Sequence, residues 1–277
     1  MRFSAVTSCL TERGAEGAVD TIAALGYDGV EFLVSGTLLP QDASPDRRRD
    51  LRRRCADLNL AVAGLNGSLP ATGHRILADD PAERQVGRDQ LLRVIDLCAD
   101  IGGQTVTVGS PGARNFPAGM LPDTWYPRAL EAFRQWGEYS ATLGVSVTVE
   151  IINRFECNWG RTIQEGLEFL AAASDGNLGL TIDTFHLSIE EGPFAAALAG
   201  GGTRIRHVHV ADSNRQAPGQ GNLDFPAFLQ ALTATGYDGF VSVELFPLWY
   251  GIALAQPGEE ALRRGLSHLR AALRREA

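Results

Sequence analysis

Four short stretches decide the fold: VSVTVEI (145–151), LGLTIDT (178–184), IRHVHVA (205–211) and FVSVEL (240–245). Side chains alternate sides along a strand. Val145, Val147 and Val149 therefore share one face, and Ser146, Thr148 and Glu150 share the other. By the same parity Asp183 lies with Gly179 and Thr181, His209 with Ile205 and His207, and Glu244 with Phe240 and Ser242. In a barrel, the apolar side of each strand packs on surrounding helices and the small or polar side points inward. Four consecutive strands then end with an inward Glu150, Asp183, His209 and Glu244.

Working outward, β-branched runs at 3–8, 29–33, 60–66 and 105–110 read as four earlier strands. Helix-like stretches fall at 12–25, 45–58, 81–101, 124–143, 162–174, 225–235 and 257–274, with a shorter one at 192–199. Eight strand–helix units in one series predict an α/β fold, a single (β/α)8 TIM barrel spanning 1–277 as one catalytic domain. The alternative is an open doubly wound sheet, which the count of eight and the lack of GxGxxG after the first strand disfavour. AALGYDGVE (23–31) echoes TATGYDGFVSVE (233–244) as a helix end, glycine stop and strand, a structural repeat from which no chemistry follows. Segments 38–45 and 110–122 read as loops, and the RRR runs at 47–49 and 52–54 as a solvated helix face rather than an anion patch.

Composition narrows the function. The chain of 277 residues carries a formal charge of −8, whereas a nucleic-acid binder usually shows a basic surplus. All 25 basic residues are arginine, so Schiff-base lysine chemistry, pyridoxal-phosphate anchoring and a Walker-type phosphate loop are excluded. Cys9, Cys55, Cys98 and Cys157 form no CxxC pair, and no segment nears the length of a membrane span or a signal peptide. The expectation is a reduced, cytoplasmic enzyme without nucleic-acid or membrane partners.

Burying three carboxylates together is prohibitively costly unless a cation neutralises them. Three oxygen donors and one imidazole suit one divalent ion, Mn²⁺ foremost, with Mg²⁺ or Co²⁺ as alternatives; structural zinc more often takes cysteine. Taken singly, each residue reads as a separately satisfied polar group at a strand end. Four at matching depth on the mouth where barrel enzymes keep their sites point to a metal centre. His207 sits two residues deeper and reads as a packed or supporting histidine, while His74 and His268 have no partner in view.

VEIINRFE (149–156), IDTFHLSIEE (182–191), HVHVADSNRQAPGQG (207–221) and VSVELF (241–246) resemble the xylose-isomerase-like sugar isomerases and epimerases, within them the ketose 3-epimerases of the D-tagatose/D-allulose type. Four motifs agree in order and register over most of the C-terminal half; the N-terminal half matches only in barrel pattern. The resemblance implies that Glu150, Asp183, His209 and Glu244 bind a Mn²⁺-type ion, and that Glu156, His186 and Arg215 contact substrate oxygens. A structural alternative makes Arg215 a loop clamp with Glu156 as its ion-pair partner. TVTVGSPGAR (105–114) departs from the fourth-strand loop of the ketose epimerases and looks more like that of inositol-type isomerases, so this loop and 74–77 are expected to shape the pocket beyond the reacting carbons.

The expected reaction is epimerisation or carbonyl migration next to a ketone through an enediolate, with Glu150 and Glu244 as acid and base on opposite faces of the carbon. One base alone would return its proton to the same face. The hydride-shift aldose isomerases of this fold use a second metal and a lysine, which this chain lacks. The rivals are a metal-dependent lyase or dehydratase, an inosose-type isomerase, an abasic-site endonuclease and a non-catalytic carbohydrate-binding barrel. The partners expected are a small sugar and further copies of the chain, as a dimer or tetramer.

Overall fold

The computed structural model describes residues 1–67, 75–173 and 176–274. Strands β1 (Arg2–Val6), β2 (Gly29–Leu33), β3 (Ala61–Asn66), β4 (Thr105–Val108), β5 (Ser146–Glu150), β6 (Leu178–Asp183), β7 (Ile205–Val210) and β8 (Phe240–Val243) pair in chain order. All are parallel, and β1 meets β8 with Phe3 beside Val241 and Ala5 beside Val243, which closes the cylinder. The open-sheet alternative is thereby removed, and the fold is a single (β/α)8 TIM barrel.

The helices are α1 (Gly14–Leu25), α2 (Pro45–Asp57), α3 (Pro81–Asp100), α4 (Pro111–Arg114), α5 (Pro122–Leu143), α6 (Ile163–Ala173), α7 (Thr184–Glu190), α8 (Phe194–Ala199), α9 (Phe225–Ala234) and α10 (Gly258–Arg274). Their starts follow from local chemistry. Proline is the first residue of α2 and α3 and the second of α9, where its missing N–H costs nothing. Ser44, Asp80 and Asp224 accept the first free amides, from Arg47, Ala82 and Ala227. Five of the six arginines of α2 pair with Glu16, Asp20, Asp46, Asp50 and Asp100, so they form an acid-matched helix face.

Parity sorts the strand residues as expected. Val147, Val149, Leu180, Ile182, Val208, Val210, Val241 and Val243 are fully buried in the apolar layer under the helices. Inside the cylinder, the Thr148 and Thr181 hydroxyls meet at 2.7 Å and those of Ser4 and Ser242 at 2.5 Å. Register shifts fall at Val30/Glu31 and Leu180/Thr181, and each lies beside an inward polar residue.

Some elements differ from expectation. The stretch read as a helix from Glu12 begins as a 3₁₀ segment, Thr7–Arg13, with α1 starting at Gly14. Thr184–Glu190, unread in the sequence, is a seven-residue helix whose cap is a strand residue: the Asp183 side chain accepts the Phe185 amide at 2.7 Å. Such a short helix has too few turns to display a 3.6-residue period. Part of the expected loop 110–122 is α4 and the start of α5. No helix among the described residues is long and apolar enough to cross a membrane.

Candidate metal centre

Glu150 and Asp183 are the last residues of β5 and β6, His209 is the penultimate residue of β7, and Glu244 follows β8 directly. The common direction of the strands in a closed parallel barrel brings these ends to one mouth. One ligand atom from each of the four lies within 4.8 Å of every other. His209 Nδ1 is 2.9 Å from Glu150 Oε1 and 3.7 Å from Glu244 Oε1. All four side chains are at least nine-tenths buried. The structure thus brings together the four residues that strand parity selects.

Arg215 joins them. Its Nη1 donates to Asp183 Oδ2 at 2.6 Å and its Nη2 to Glu244 Oε2 at 2.8 Å. The guanidinium lies over Phe185 and Trp249, 4.8 and 5.0 Å from the ring centroids, a favourable cation–π environment for a buried charge. Arg215 has a left-handed backbone, φ 60°, in a loop knotted by Asp212, whose carboxylate accepts the amides of Ser213, Gly219 and Leu223. The alternative that pairs Arg215 with Glu156 is not what the structure holds; Asp183 and Glu244 are the ion-pair partners of Arg215. Glu156 Oε1 instead accepts Asn153 Nδ2 at 3.0 Å.

The same Asn153 amide meets His186 Nδ1 at 2.7 Å. With Nδ1 as acceptor, His186 keeps a proton on Nε2, which lies 4.0 Å from Asp183 Oδ2. Burial pulls His186 down to about 4, outweighing the opposing pull of Asp183. The ring is therefore a neutral donor at ordinary pH. Burial pushes the Glu156 carboxyl upward against Asn153 and Arg215.

Electrostatics of the centre favour a cation. Burial raises Glu244 to about 7 despite His209 and Arg215. Burial would also raise Asp183, but Arg215, His186 and His209 reverse this and lower it to about 2. Burial lowers His209, yet Glu31, Glu244 and Glu150 lift it well above the usual imidazole range. With the imidazole neutral and the carboxylates ionised, as ligation requires, three carboxylates (−3) and one guanidinium (+1) leave −2, a charge that one divalent cation balances. Three carboxylates and an imidazole are also the donor chemistry of Mn²⁺ or Mg²⁺ rather than of a thiolate-bound metal. The residues present fit the group.

Sequence reasoning overlooked Glu31, Asn66, Asn153 and Gly109. Glu31 is fully buried inside the barrel; its Oε1 meets His209 Nε2 at 3.0 Å and its Oε2 meets His207 Nε2 at 2.7 Å. It engages the back of the His209 ring and leaves Nδ1 facing the carboxylates, the usual carboxylate support of a ligating histidine. His207, expected as a packed or supporting residue, is the second partner of Glu31. The signal was present in GVEFL (29–33), where one charge interrupts an otherwise apolar strand. Asn66 donates to Glu244 Oε1 at 2.5 Å. Gly109 is needed because the Glu150 carboxylate occupies the space a Cβ would fill. Of the other histidines, His268 packs edge-on against Phe225 at 5.6 Å, and His74 lies outside the described residues.

Glu150, Glu156, His186, Arg215 and Glu244 line one cavity of about 140 Å³ at the mouth. The sequence profile of the xylose isomerase-like TIM barrel matches residues 19–272. The chain belongs to that family. Within it, the L-ribulose 3-epimerase of Mesorhizobium japonicum is 35% identical over 222 residues, covering 80% of this chain and 72% of the relative. The L-ribulose 3-epimerase of Methylomonas sp. is 30% identical over 233 residues, covering 84% and 79%. A solved structure of an L-ribulose 3-epimerase is similar to this family member with a TM-score of 0.85 at 28% identity, over 99% of this chain and 96% of the other.

Proposed function

We propose that this protein is a divalent-metal-dependent ketose 3-epimerase, an isomerase that inverts the carbon next to a ketose carbonyl. The observation that carries the reading is the convergence of four ionisable ligands, one from the end of each of four consecutive strands, beside a cavity that two of them, Glu150 and Glu244, line. Glu150, Asp183, His209 and Glu244 would hold one ion, Mn²⁺ in our assignment, with Mg²⁺ or Co²⁺ as substitutes. When bound, such an ion polarises the carbonyl and acidifies the adjacent C–H.

The remaining steps belong to the chain's own residues. Glu150 and Glu244 reach the cavity from β5 and from the end of β8, on different sides of its floor. One removes the proton from the carbon next to the carbonyl, giving an enediolate, and the other returns a proton to the opposite face. Arg215 and the His186 Nε2–H donate to substrate oxygens, and Glu156 accepts from a substrate hydroxyl. Among the described lining residues the one guanidinium, Arg215, is already held by Asp183 and Glu244, so no side-chain cation is left over for a phosphate and a neutral ketose fits. A dimer or tetramer in the cytoplasm completes this reading; light scattering of the purified protein tests the assembly.

Isotope exchange tests the chemistry. In D₂O with Mn²⁺, the product gains deuterium at the inverted carbon. Glu150→Gln and Glu244→Gln should each lose about 10²–10⁴-fold in turnover, together with that incorporation. Retained exchange in either variant removes that residue from proton transfer. An unsaturated, ultraviolet-absorbing product would instead assign the site to elimination.

A further inference from the structure

The cavity has two unlike walls. Glu156, His186 and Arg215 stand on the side built by the strands from β5 onward, while the ends of β2, β3 and β4 supply Leu33, Asn66, Gly109 and Ser110. If the reacting carbons lie over the carboxylates with Arg215 and His186 on one side, the rest of the sugar chain extends toward the second wall.

Polar groups on that wall are few. The Asn66 amide is committed to Glu244 at 2.5 Å, and Gly109 has no side chain. Ser110 is different. It is 6% exposed, and its Oγ has no hydrogen-bond partner among the described residues. It also occupies the N-cap position of α4, where serine normally accepts an amide of the first turn, yet its side chain makes no capping bond. The hydroxyl is therefore not spent on structure. A buried hydroxyl left unpaired carries a desolvation cost, and buried polar groups in native proteins nearly always find a partner.

We propose that Ser110 is a specificity-determining residue whose hydroxyl forms one hydrogen bond with a single ketose hydroxyl beyond the reacting carbons. The inference rests on the ketose-epimerase reading above. A site built to bond a hydroxyl rejects the analogue that lacks it more strongly than an apolar wall can, so Ser110 sets which carbon of the tail is read.

The test compares the Mn²⁺-loaded wild-type protein and Ser110→Ala on a panel of free ketoses and their monodeoxy analogues, one for each tail carbon. For one analogue only, wild-type kcat/KM should fall about 10-fold relative to the parent ketose. Ser110→Ala should lose the same factor on the parent and nothing further on that analogue. Its Mn²⁺ binding isotherm and melting curve should match the wild type. A loss spread evenly over all analogues, no loss at all, or weakened Mn²⁺ binding overturns the proposal while leaving the epimerase reading intact. A wild-type protein that turns over no ketose sinks both.

Discussion

Strands β5–β8 bring Glu150, Asp183, His209 and Glu244 to the mouth, whereas β1–β4 end in Val6, Leu33, Asn66 and Val108. One half of the rim is ionic and converges within 4.8 Å; the other is apolar or neutral. The two halves share the same backbone architecture, so the contrast lies in side chains alone. On the reading proposed above it divides the labour: the ionic half would hold the ion and the reacting carbons, and the neutral half the tail of the sugar. The division is incomplete at two points. Asn66 at the end of β3 donates to Glu244 at 2.5 Å, and Glu31 of β2 reaches across the barrel interior to His209 on β7 at 3.0 Å.

Removing the ion tests the ionic half as a unit. Complete chelation should abolish turnover and Mn²⁺ should restore it, as followed by product chromatography; turnover that survives chelation ends the division at once. Glu31→Gln probes the crossing that ends on the imidazole of His209. Mn²⁺ affinity, measured by titration calorimetry, should fall about 10–100-fold, with much of the turnover recovered at saturating Mn²⁺. Unchanged affinity would confine the metal centre to β5–β8. The smallest effect is expected at Asn153→Ala, which frees Glu156 and His186 without touching a ligand. KM should rise about 10-fold, the cost of one or two lost buried hydrogen bonds, while Mn²⁺ affinity stays constant. A fall in affinity instead would tie the substrate side to the ion.

How legible each half was follows from the same contrast. In VSVTVEI and LGLTIDT the alternation is clean, so Glu150 and Asp183 declare their side by parity alone. Closure into a cylinder then fixes their convergence, because the strand ends have nowhere else to meet. The partners of those residues were not legible. Asn66, Asn153 and Gly109 act through distances of a few ångströms between segments far apart in the chain, and no spacing rule encodes these. Glu31 stood in view, but a single acid in a five-residue strand has no visible counterpart until His207 and His209 face it. The Arg215 loop shows the opposite case: ADSNRQAPGQG matched a known pattern, yet its carboxylate partners emerged only from the fold.

Gly109 carries a lesson for anyone redesigning this enzyme. An oxygen of Glu150 already fills the place where a methyl on residue 109 would sit, so saturation libraries gain nothing there. Ser110 and Leu33, one step along the same wall, are where randomisation can retune the sugar accepted and leave the proton-moving machinery standing.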